Sequence, residues 1–91
     1  MPKNINICSS WHGNANEDFN FVNQNTVQGI VAAVPGQTWP FVQSSPITVP
    51  AKDGGPGSTA CQLLPNLADG TYTYDVTGCI TGGQPRNVTI P

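Results

Sequence analysis

The chain reads as an all-β domain, a Greek-key β-sandwich of short strands, on three observations. Polar and apolar residues alternate along it in several short runs. Proline or glycine interrupts nearly every window long enough for an amphipathic helix. Turn signals separate the alternating runs at intervals of roughly ten residues, the rhythm of a sandwich or barrel. A length of 91 residues allows one domain, 1–91, with a modest core of its own.

The elements follow in order. Asn4-Ile5-Asn6-Ile7-Cys8 alternates as a half-exposed first strand does. Ser9 to Asp18, with Trp11, His12, Gly13, several Asn and the pair Glu17-Asp18, reads as a loop without regular structure. Phe19-Asn20-Phe21-Val22-Asn23 alternates again, and Gln28 to Val34 is a more fully buried run. Ile47-Thr48-Val49 stands between Pro46 and Pro50, which suits an edge strand because proline donates nothing to a ladder. Ala51 to Ser58, rich in glycine and proline, reads as a second loop. Thr71 to Thr77 is the clearest strand, with Tyr72, Tyr74 and Val76 on one face and Thr71, Thr73, Asp75 and Thr77 on the other. Asp69-Gly70 turns the chain into it and Gly78 ends it. After the loop Thr81-Gly82-Gly83-Gln84-Pro85, Asn87 to Ile90 forms the last strand.

Charge removes whole classes of function. Charged residues are 9% of the chain, against roughly 25% in an ordinary soluble domain. The cations Lys3, Lys52 and Arg86 are scattered, so neither a nucleic-acid footprint nor an anionic membrane surface is served. No apolar run approaches the ~20 residues of a membrane-spanning helix, so a soluble chain is expected. Met1-Pro2-Lys3-Asn4 has a cation but no apolar stretch behind it, and so does not read as a signal peptide. Either the protein is cytoplasmic or Met1 precedes a mature extracytoplasmic chain; composition leans toward an extracytoplasmic or secreted location.

The segment Leu67-Ala68-Asp69-Gly70-Thr71-Tyr72-Thr73-Tyr74-Asp75-Val76, a glycine loop and then Pro85-Arg86-Asn87-Val88-Thr89-Ile90 resemble the closing hairpin of cupredoxin-like proteins. Trp39-Pro40-Phe41 and Ser45-Pro46-Ile47-Thr48-Val49 are similar to the middle of small proteins of that type, so the resemblance spans about residues 39–91. An immunoglobulin-like sandwich is the alternative. The copper chemistry of the family does not carry over. A type 1 site needs two His, a Cys thiolate and usually a Met, whereas this chain has His12 alone and Met only at position 1. The expectation is a fold without metal or other cofactor.

Candidate chemistry is sparse. Ser9, Ser10 and His12 lie too close in one loop to build a triad with an orienting acid, so no catalytic residue is expected. Cys8 and His12 supply two zinc ligands at most. Asn14, Asn16, Glu17 and Asp18 are oxygen donors for calcium, but Asn and Asp also satisfy turn backbones. Trp11 and His12 with Asn14 and Asn16 form the ligand-binding candidate, an aromatic platform ringed by amides; the competing role for Trp11 is to cap the barrel end with its N–H bonded to a carbonyl. Trp39 is expected in packing beside Phe41. Tyr72, two residues after Gly70, fits a tyrosine corner that ties a crossover.

Three cysteines leave a disulfide with one free thiol, three thiols, or an intermolecular bridge all open. A hairpin turning at 65–70 would set Cys61 near Tyr74, and the pair carried forward is Cys61 with Cys79, brought together by a loop. Asn87-Val88-Thr89 is a glycosylation sequon with no meaning in a bacterial or cytoplasmic setting. The function expected is a non-enzymatic binding or interaction module for a protein or glycan ligand, acting through loops at one end of the sandwich. The alternatives are a small carbohydrate-binding protein using Trp11 and its Asn neighbours, and a structural subunit that oligomerises through edge strands.

Overall fold

The computed structural model describes residues 3–79 and 85–91. Eight strands are present: β1 (Lys3–Asn6), β2 (Trp11–His12), β3 (Asp18–Asn23), β4 (Gly29–Ala33), β5 (Ile47–Val49), β6 (Gly57–Gln62), β7 (Gly70–Thr77) and β8 (Arg86–Ile90). They form two mixed sheets, ordered β1-β3-β6 and β2-β8-β7-β4-β5, which pack as a sandwich. Most neighbours are antiparallel, but β1 runs parallel to β3 and β2 parallel to β8. Parallel partners require the chain to leave the sheet and return. It does so here by alternating sheets from β1 through β4. The strands expected at 4–8, 19–23, 28–34, 47–49, 71–77 and 87–90 are present within two residues at each end, and β5 is the edge strand its flanking prolines require.

Two expected loops prove to contain strand. Trp11–His12 pairs with Val88 and Thr89, and Gly57–Gln62 pairs with Asn23–Asp18. At Gly57, where β6 begins, the chain runs hard against the Pro50 carbonyl and a Cβ has no room. The 65–70 turn is not a hairpin: β6 and β7 lie in different sheets, so Cys61 pairs with Phe19 and Tyr74 with Ala33 and Arg86. The glycine loop expected before Pro85 lies outside the described residues. Among the described residues no helix is long and apolar enough to cross a membrane.

The core is an aromatic stack joining the sheets. Phe19 and Phe21 of β3 reach across to Tyr74 of β7, with Phe41 wedged between at 5.7, 5.4 and 5.3 Å from their ring centres. Trp11 packs on Phe19 at 4.8 Å and Trp39 stands edge-on to Phe41 at 4.9 Å. Such contacts contribute roughly 0.5–1.5 kcal/mol each beyond the apolar area they bury. Val31, Val49, Val76 and Val88 fill the space around them with stiff β-branched side chains.

The register sets two ends. Asp18 opposite Gln62 and Gly70 opposite Ile90 mark one; Asn23 opposite Gly57 and Thr77 opposite Ile30 mark the other. Loops 13–17, 34–46 and 63–69 gather at the first end. Loops 7–10, 24–28 and 50–56 gather at the second.

Candidate functional site: a groove at the β6–β7 end

The residues proposed from sequence as a binding platform do not converge. Trp11 is 8% exposed, and its indole N–H donates to the Tyr74 hydroxyl at 3.0 Å inside the core. It caps the interior as the competing role required, with a hydroxyl rather than a carbonyl as acceptor. The Lys3 ammonium lies over the Trp11 ring, 5.7 Å from its centre. His12, next along the strand, points to the opposite, exposed side, as strand alternation dictates. Asn14 and Asn16 serve the turn: the Asn14 N–H donates to Glu17 Oε1 at 2.9 Å, and Asn16, with φ of 67°, accepts from Gln62 Nε2 at 2.8 Å. Glu17 also faces Lys3 at 3.5 Å. Glu17 and Asn16 thus have partners within the protein, and no three His, Cys, Asp or Glu side chains converge among the described residues. Ser10 Oγ accepts the Asn87 N–H at 3.2 Å, tying the β1–β2 segment to β8.

The cysteine pairing also differs from expectation. Cys79 is joined to Cys8, 71 residues away, and Cys61 is the free thiol. Cys61 points inward from β6, where burial pushes its pKa up to about 11. The crossing of β6 into the other sheet is what separates Cys61 from Cys79.

An apolar groove lies at the first end, along the β6–β7 connection. Thr38, Leu64, Pro65, Asn66, Leu67, Ala68 and Tyr72 line a space of about 520 Å³. Five of these seven side chains are apolar or aromatic, and none is charged. The walls are fixed from several directions. The Tyr72 hydroxyl donates to the Ala68 carbonyl at 2.6 Å, the tyrosine-corner bond expected from sequence. The Leu64 N–H donates to Pro40 O at 2.9 Å, and the Leu64 carbonyl accepts the Asn16 N–H at 3.0 Å. Leu67 and Tyr72 rest on the core from one side. Trp39 stiffens the neighbouring β4–β5 loop by donating its indole N–H to Gln43 O at 2.7 Å. The signal for this groove in the sequence is Leu67 inside the turn bracketed by Pro65 and Gly70, with Leu64 just before it, where solvated polar residues are the norm.

The second end is built differently. Asn23 is fully buried; its Nδ2 donates to Val27 O at 2.9 Å and Pro50 O at 3.1 Å, while its Oδ1 accepts both the N–H and the Nδ2 of Asn25 at 2.9 and 3.0 Å. Asn25 Nδ2 also points at Cys8 Sγ, 3.4 Å away, and Lys52 N–H donates to Asn25 O at 2.8 Å. The Asn23 amide is thus saturated by protein groups, and both side-chain N–H groups of Asn25 are engaged. Sequence reasoning passed over Asn23, although it has the inward parity of Phe19 and Phe21. A polar residue at an inward position was the available signal. No protein-family model, curated protein or solved structure matches this chain.

Proposed function

We propose that this protein is a non-enzymatic, metal-free binding module whose ligand is a small, uncharged, largely apolar organic molecule. The observation that carries this is the preformed groove at the β6–β7 end. Its volume of about 520 Å³ falls within the ~300–1,000 Å³ of small-molecule sites. Its lining is mostly apolar, with Thr38 and Asn66 able to exchange one or two hydrogen bonds with the ligand. The absence of charge along that lining favours a neutral molecule, since a buried unpaired ion is costly to desolvate. Walls already tied by Tyr72 and by the backbone of Leu64 reduce the ordering cost of binding.

The fold is proposed to be a cupredoxin-like Greek-key sandwich. Support comes from the alternation of the first four strands between sheets and from the Tyr72–Ala68 bond at a crossover. A copper site of that family is not proposed, because its ligands are lacking. His12 stands alone, Cys79 is held in a disulfide and Cys61 is a buried, weakly acidic thiol. The Cys8–Cys79 bridge is compatible with an extracytoplasmic location.

Indole, a neutral bicyclic aromatic with one N–H donor, is the first probe. Ligand-observed NMR on the wild type is expected to give a Kd of about 1 mM, with glucose as a silent control. Leu67→Asp places a charge on the wall outside the central stack, and is expected to weaken indole at least about tenfold while the far-UV spectrum shows the protein still folded. No binding by the wild type, or binding indifferent to Leu67→Asp, would remove the proposal. Glucose binding in place of indole would favour the glycan alternative.

A further inference from the structure

The disulfide stands where the polar network of the second end meets the surface, and among the described residues a side-chain donor reaches one of its sulfurs, that of Cys8. Cys8 and Cys79 are both half-exposed. The Asn25 carboxamide aims one N–H at Cys8 Sγ at 3.4 Å while its other N–H is held by Asn23 Oδ1 at 3.0 Å. Asn23 is itself immobilised by Val27 and Pro50. The donor at Cys8 is therefore fixed in place by a buried scaffold. A second positive influence stands beside the same residue, because Arg86 Nε donates to the Cys8 carbonyl at 2.7 Å. A hydrogen-bond donor and a nearby cation both favour the thiolate over the thiol.

We propose that the Cys8–Cys79 disulfide is a reducible latch, polarised by Asn25 and Arg86 so that an incoming dithiol attacks Cys79 and expels Cys8 as the thiolate. In the first step one thiolate of the dithiol forms a bond to Cys79 Sγ. The Cys8–Cys79 bond breaks and its electron pair leaves on Cys8 Sγ, where the Asn25 N–H receives it. In the second step the remaining thiol of the reductant, deprotonated, attacks its own sulfur in the mixed disulfide. Cys79 leaves as a thiolate, and the dithiol departs as a cyclic disulfide oxidised by two electrons. Protons released by the dithiol end on Cys8 and Cys79. Exchange rates rise as the leaving thiol becomes more acidic, so the donor at Cys8 directs the path. Cys61, buried in β6, takes no part. Opening the latch removes the covalent tie between the 7–10 loop and the end of β7, loosening one end of the sandwich while the aromatic stack persists.

The test needs no variant to begin. Folded wild-type protein is treated with excess glutathione, a monothiol, and the products are quenched with acid. They are then alkylated with N-ethylmaleimide and mapped by mass spectrometry. Glutathione is expected on Cys79 and maleimide on Cys8, in a ratio of about five to one or more. In Asn25→Ala the ratio is expected to fall toward one, a readout that overall stability does not set. Dithiothreitol is expected to open the bridge without urea, leaving the far-UV spectrum intact and speeding amide exchange in loops 7–10 and 24–28. Glutathione mainly on Cys8, a ratio unmoved by Asn25→Ala, or reduction only under unfolding conditions would overturn the proposal.

Discussion

The two ends of this sandwich organise loops by opposite means. At the β6–β7 end a tyrosine hydroxyl, a proline and a few backbone bonds hold the chain open around an apolar groove. At the other end two buried asparagines bond across loops 24–28 and 50–56, and a disulfide pins loop 7–10 to the end of β7. The difference shows how to tell a binding end from a fastening end in a protein with few charges. Hydrogen bonds alone do not decide it, since both ends are well bonded. What decides it is whether the bonds leave an uncommitted surface behind them.

The largest effect should come from the fastening end. Asn23→Asp keeps the size of the side chain but replaces the two N–H donors of Nδ2 by a carboxylate oxygen facing the Val27 and Pro50 carbonyls. A buried, unpaired charge of this kind costs about 4 kcal/mol, a large part of the stability of a domain this size. Urea unfolding of the variant at neutral pH checks it. A loss below about 1 kcal/mol would mean that the network does not fasten the loops.

The shared core should respond next, and only to alkali. Burial pushes the Tyr74 pKa up to about 12, against the lowering influence of its bond from Trp11 and of the Arg86 charge. The unfolded chain, with a tyrosine near 10, gives up that proton first as pH rises. Stability from this group is therefore complete below about pH 10 and drains away toward pH 12, by roughly 2 kcal/mol. Urea midpoints at pH 8 and pH 11.5 should differ accordingly in the wild type and much less in Tyr74→Phe.

The smallest effect belongs to the groove. Tyr72→Phe removes the bond to Ala68 at an exposed site and should cost about 1 kcal/mol. Its informative consequence is a weaker affinity for indole, as the β6–β7 wall loses its anchor. Equal loss of stability in Tyr72→Phe and Asn23→Asp would erase the contrast between the ends.

How much of this was legible in the sequence follows from how local each signal is. Strands such as β7, with Tyr72, Tyr74 and Val76 against Thr71, Thr73 and Asp75, carry their own alternation and are read directly. β6 was missed because Gly57, Ser58, Thr59 and Ala60 are small and make no apolar contrast, and β2 because two residues establish no period. The burial of Trp11 has a longer-range cause. Trp11 looks exposed among polar neighbours, but its burial depends on Tyr74, 63 residues away, and on Phe19. The Cys61–Cys79 pairing failed likewise, since it assumed that β6 and β7 share a sheet. Tyr72 was read correctly because its partner, Ala68, lies only four residues upstream.

The most direct test of the account is to follow the backbone amide spectrum of the intact protein while indole is added. The account predicts shifts concentrated at Thr38, Leu64, Asn66, Leu67, Ala68 and Tyr72, with Asn23, Asn25 and Cys8 unmoved. Shifts centred on the asparagine end, or none at saturating indole, would contradict the assignment of the binding end.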